Sequence, residues 1–157
     1  AMRVSGRARL ATLTGCLVAG AVLLAGCDGE GDAPGGTLRL VSDTGRPSIE
    51  VDEGWVAVLP ADDAATWALL DAEPGADLTH ANLRMDADDV VGVGGLWQPV
   101  AGGRFDLPVD PGEYVLCFVV PAESGPGAVR GCTPVILADG DRVAASWGEA
   151  GFRAETR

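Results

Sequence analysis

Tyr114 to Val120 (YVLCFVV) carries no charged or strongly polar side chain, and this run constrains the fold more than any other segment. A strand without a wet face belongs in the middle of a sheet covered on both sides. Trp55 to Leu59 (WVAVL) is short, apolar and partly β-branched or aromatic, and reads the same way. Other segments alternate: Leu38 and Leu40 flank Arg39, and Phe105, Leu107 and Val109 alternate with polar neighbours beginning at Arg104 and Asp106. Such alternation gives one buried and one wet face. Val135-Ile136-Leu137 and Val143 to Trp147 complete the set.

Turn residues separate these runs. Asp43-Thr44-Gly45-Arg46-Pro47 is turn material. Asp110-Pro111-Gly112 has Pro and Gly in the order a type II turn favours. Asp139-Gly140 is a hairpin signal between Leu137 and Val143. The pattern predicts an all-β, Ig-like antiparallel β-sandwich over residues 37–157. One short helix is expected from about Asp63 to Ala72, with Asp62 as N-cap and Pro74-Gly75 as its stop. Ala64, Trp67 and Leu70 fall at helical spacing, which makes Trp67 a core anchor or, alternatively, a ligand platform.

Residues 76–89 are harder to read. They hold His80 and the acidic group Asp86, Asp88 and Asp89. Carboxylates at this spacing suit a hard cation such as calcium, but the sharp-turn glycine and closing glutamate of an EF-hand loop are missing. A solvated turn is the default and a cation site the alternative. Gly92, Gly94 and Gly95 make Val90 to Leu96 a weak strand or a mobile loop.

The N-terminal segment has a different grammar. Arg3, Arg7 and Arg9 precede an uncharged stretch from Leu10 to Gly26, which ends Leu24-Ala25-Gly26-Cys27. A basic head, an apolar stretch and small residues before a cut form an export signal. The ending resembles the lipobox of bacterial lipoproteins. That resemblance implies cleavage between Gly26 and Cys27 and a diacylglycerol on the Cys27 thiol. Residues 1–26 would then be the signal peptide, residues 27–36 the lipidated cysteine and a flexible tether, and the domain would sit outside the membrane. Two alternatives remain: an uncleaved anchor, although the stretch falls short of the about 20 residues a spanning helix needs, and a secretory signal without lipid.

Processing would alter the charge account. It removes three arginines and none of the 23 acids, moving the formal charge from −12 to −15. Such a balance argues against nucleic acid as a partner, and against anionic lipid headgroups, because both require a basic footprint. The chain contains no lysine.

After Cys27 only Cys117 and Cys132 remain. An even pair in an oxidising compartment predicts a disulfide. In the chain-entropy model a loop of this size is worth about 3 kcal/mol. Half of a metal site is the other reading, but His80 is the single histidine available to complete it.

Gly103-Arg104-Phe105-Asp106-Leu107, followed by Asp110-Pro111-Gly112-Glu113-Tyr114-Val115-Leu116, resembles the carboxypeptidase-regulatory-like, transthyretin-like group of β-sandwich domains. The match spans residues 102–120. It implies a sandwich and an adhesion or spacer role, and carries over no functional residues. Collagen-binding B-type repeats look similar there, but their Lys–Asn crosslink has no counterpart in a chain without lysine.

Catalysis finds little to build on. Every Ser-His-Asp scheme would have to use His80, and Ser42, Ser48, Ser124 and Ser146 all lie outside a G-x-S-x-G elbow. No catalytic residue, metal or cofactor is therefore expected, with a small two-carboxylate glycosidase as the residual enzyme reading. The leading expectation is a membrane-anchored interaction module whose partner is an envelope protein or a polysaccharide. A structural part of the envelope is the alternative. Trp97, set between glycines and Gln98-Pro99, is the candidate ligand platform, with burial in the core as its competing fate.

Overall fold

The computed structural model describes residues 35–41 and 48–157. The first half comprises β1 (Gly35–Val41), β2 (Ile49–Glu50), β3 (Trp55–Pro60), α1 (Ala64–Leu69), β4 (Arg84–Met85) and α2 (Ala87–Gly92). β5 (Leu96–Pro99), β6 (Arg104–Asp106), β7 (Gly112–Val120), β8 (Gly127–Leu137), β9 (Arg142–Gly148) and β10 (Gly151–Thr156) complete it.

The apolar run at 114–120 lies in β7, the middle strand of a sheet ordered β4-β8-β7-β3-β5. Val115 to Val119 are all buried, because both faces of this sheet are covered. Leu116 and Phe118 point into the sandwich core with Val56, Val58, Val135 and Leu137. Val115, Cys117 and Val119 point the other way, into a second core with Ala57, Leu59, Leu70 and Met85. A continuous apolar strand here means two cores rather than one.

The facing sheet is ordered β10-β9-β1-β2, with β6 also paired to β1. Its inner side chains are Leu38, Phe105, Val143, Ala145 and Phe152. Phe118 stacks on Phe152 across the sandwich, with ring centroids 6.3 Å apart. Burying an aromatic or large aliphatic side chain this fully contributes roughly 1.5–3 kcal/mol.

The all-β sandwich is therefore as expected, with four corrections. β1 pairs with β9 in parallel, so the architecture is not purely antiparallel. Among the described residues two short helices are present instead of one, and Asp63, not Asp62, caps the first: its Oδ1 accepts the Ala65 amide at 2.8 Å. The second helix and β5 replace the weak strand or loop expected at 90–96. β1 starts at Gly35, so the strand takes in the last two residues of the expected tether. Gly36 is needed there because the Phe105 ring fills the space a Cβ would take.

The turn expected at Asp43 to Pro47 lies outside the described residues; the other two turn signals mark corners between sheets. Asp139-Gly140 joins β8 to β9, which lie in different sheets, so no hairpin forms. Asp110-Pro111 leads from the β6 side into β7, and Gly112 is already in the strand, outside the left-handed region a type II turn requires. Tyr114 Oη donates to the Asp110 carbonyl at 2.7 Å and closes this corner. A tyrosine reaching back to upstream backbone fixes sandwich corners in the same manner.

Each helix has six residues, too short to persist alone. They are held by packing on the outer face of the β7 sheet, where Trp67 Nε1 also donates to the Ala61 carbonyl at 2.7 Å. Residues 78–85 run along the edge of β8. The Leu78 carbonyl accepts the Cys132 amide at 2.7 Å and the Leu83 carbonyl accepts the Val129 amide at 2.9 Å. Among the described residues no helix is long and apolar enough to cross a membrane.

Candidate functional site

Leu24, Ala25, Gly26 and Cys27 lie outside the described residues. Cys117 and Cys132 are joined by a disulfide and sit directly opposite one another on β7 and β8, with Cα atoms 4.0 Å apart. So close an approach belongs to a pair without ladder hydrogen bonds between its members, consistent with the Cys132 amide turning outward to Leu78. Both cysteines are fully buried beneath the helical layer. With both sulfurs committed to the bridge, the metal-site alternative has no thiolate to offer.

The acidic group at 86–89 has a structural occupation. Asp86 Oδ1 accepts the Asp89 amide, and Asp89 Oδ2 accepts the Asp86 amide, each at 3.0 Å. This reciprocal capping box starts α2. Among the described residues no group of three His, Cys, Asp or Glu is placed to hold a metal ion. His80 is exposed on the covering segment. Nearby, Asp77 Oδ1 accepts both the amide and the hydroxyl of Thr79, which holds the Asp77 carboxyl below its ordinary value.

Trp97 is half-buried on β5 and stacks on Trp55, with ring centroids 5.3 Å apart and planes inclined by 29°. The register explains the pair. Trp97 lies opposite Ala57, one diagonal step from Trp55 on the same face. Trp67 is also half-buried, against the second core. Trp147 is flanked by Phe118 and by the Arg130 guanidinium, 5.8 Å from its centroid. The expected platform residue thus contributes one half of an aromatic pair at a sheet edge.

A second surface emerges from strand alternation. The outward positions of the β1 sheet carry Arg39, Arg104, Arg142, Arg153 and Arg157, against Glu50, Asp106 and Glu155. Those positions hold five arginines against three acids, with Arg39 paired to Glu50 at 3.7 Å, on a chain of formal charge −12. The opposite side is the reverse: residues 61–95 carry eight acids and one arginine, Arg84. At the end of the β1 sheet where the described chain starts, Arg104, Arg142, Arg157 and Asp106 line a concavity of about 720 Å³ together with Gly35, Gly36 and Ala144. Sequence reading had no reason to group these arginines, since β1, β6 and β9 meet only through tertiary pairing. Arg153, Glu155 and Arg157 at alternate positions were the one local sign.

Comparison with family models, with curated proteins and with solved structures finds no match.

Proposed function

We propose that this chain is a lipid-anchored, extracytoplasmic interaction module without catalytic activity. The observation that carries the reading is Leu24-Ala25-Gly26-Cys27 at the end of an uncharged stretch behind three arginines. The bridge between Cys117 and Cys132 supports it, because disulfides persist in oxidising compartments. The start of β1 at Gly35 supports it too, leaving a short connection rich in glycine, proline and acids after Cys27.

Three features of the domain support the non-catalytic reading. The imidazole of His80 is on the surface, the two domain cysteines are bonded to each other, and the close acids at 86–89 cap a helix. Its two-sheet form and tyrosine corner agree with a transthyretin-like sandwich serving adhesion or spacing. The partner is an envelope protein or a polysaccharide.

Mass spectrometry of the native N-terminal peptide tests the anchor. A diacylglyceryl-modified Cys27 is expected, and Cys27→Ser should leave the membrane fraction or stall in processing. An unmodified Cys27 in a mature membrane-bound chain would overturn the anchor. Crosslinking in native membranes tests the interaction role: a recurring protein or glycan adduct supports it.

A further inference from the structure

We infer that the open half of the cleft between β8 and β10 binds an extended segment of a partner polypeptide, which adds to the outer edge of β10 as a further strand. This mode rests on the interaction role proposed above and chooses protein over polysaccharide. It does not depend on the anchor.

The chain fills the other half of the cleft with its own backbone. There the Leu78 carbonyl accepts the Cys132 amide of β8 at 2.7 Å, and the Thr79 carbonyl accepts the Phe152 amide of β10 at 2.8 Å. One stretch of polypeptide thus satisfies both edges at once.

Strand register shows what is left over. β10 ends its sheet. Arg142 and Arg157 exchange both backbone hydrogen bonds, so alternation along this ladder turns the backbone groups of Phe152, Ala154 and Thr156 away from β9. Thr79 takes Phe152. The outward groups of Ala154 and Thr156 meet no partner among the described residues. On β8 the same alternation, counted from Cys132, turns Pro134 and Ile136 outward. Pro134 has no amide to donate, so β10 supplies the ladder and β8 the wall.

Between the two lies a concavity of about 510 Å³ lined by Pro134, Val135, Ile136, Ala154, Glu155 and Thr156. Ile136 stays 70% exposed there. Inward positions of the added strand therefore favour apolar side chains, while outward positions lie beside Arg153, Glu155 and Arg157 and favour polar ones.

A second copy of this chain suits the edge poorly. Thr79 blocks β10 at Phe152, so two copies could pair only Ala154 with Thr156 and Thr156 with Ala154. That register sets Glu155 directly against its own counterpart, and like charges so placed destabilise a ladder. A glycan has no backbone that alternates amide donors and carbonyl acceptors at strand spacing.

The test uses the full chain in detergent and a capped hexapeptide of alternating threonine and valine. By NMR, bound hexapeptide should slow amide exchange at Ala154 and Thr156 but not along β5, an edge of the other sheet. N-methylating one alternate set of peptide amides should weaken binding on the order of tenfold, and methylating the other set should not, because only one edge of the strand faces β10. Thr156→Pro removes an outward amide and no bond to β9. It should keep the urea midpoint and lose binding on the order of tenfold. Should that variant unfold, the two methylated peptides decide. No protection at Ala154 and Thr156, equal binding of both methylated peptides, or full binding by a folded Thr156→Pro overturns the inference. So does a native crosslinked adduct that is glycan alone, which would leave the interaction role standing.

Discussion

The backbone carbonyl of Thr79 accepts the Phe152 amide at 2.8 Å and so fastens the covering segment of one sheet to the edge strand of the other. Leu78, its neighbour, accepts the Cys132 amide from β8. Two consecutive carbonyls thereby bridge both sheets along one side. The approach is close enough that Gly131 and Gly151 both face the Thr79 carbonyl where a Cβ would sit.

Gly131→Ala should therefore destabilise the domain by about 1–3 kcal/mol, the usual cost of overpacking. Its Cβ would also meet that of Phe152 at 2.7 Å. Urea unfolding measures this, with Gly92→Ala as the control, since nothing lies within 4 Å of that position. A Gly131→Ala midpoint equal to that of the native chain would contradict the bridge.

The disulfide should resist reduction while the helical layer is in place, because both cysteines are at 0% exposure. Reductant is expected to act at a rate set by opening of that layer, and to act quickly in urea. Once reduced, the domain should lose roughly 2–5 kcal/mol of stability. Thiol titration over time, with and without urea, separates the two regimes.

Tyr114 is the single tyrosine, so phenolate absorbance titrates this residue alone. Burial, and then the nearby carboxylates of Asp110 and Asp62, raise its pKa above the ordinary 10.0. A folded-state pKa above the unfolded one gives a stability contribution that is complete below pH 10 and lost as pH rises through the folded value. The absorbance midpoint should lie above 10 in the folded protein and return to it in urea. Tyr114→Phe should remove that alkaline dependence and cost about 1 kcal/mol for the lost hydrogen bond.

Thr66 is fully buried in α1, and its hydroxyl has no hydrogen-bond partner. Thr66→Val keeps the shape and removes the desolvated oxygen, so it should stabilise the domain by about 1 kcal/mol. Thermal unfolding checks the sign. A loss of stability would mean that the hydroxyl is engaged.

The legible parts of the fold were those written in a single stretch of chain. The run at 114–120 announced a strand covered on both sides, and Cys117 with Cys132 announced a bridge; both are present. Asp139-Gly140 correctly marked a reversal, but turn chemistry does not say whether the next strand returns to the same sheet. The acids at 86–89 read as a solvated turn, with an ion site as the alternative, because a capping box of two aspartates places carboxylates at a spacing that suits either. The arginine face was hidden for a different reason: its members come from β1, β6, β9 and β10, and only long-range pairing gathers them.

The parallel partnership of β1 with β9 also orders events in time. Gly35 lies beside Arg142, so the first strand cannot find its neighbour until 107 further residues have followed. Contacts of such high sequence separation slow folding. A growing polypeptide would thus emerge with its leading strand unsatisfied on that side, and closure of the sandwich would wait for its final segments.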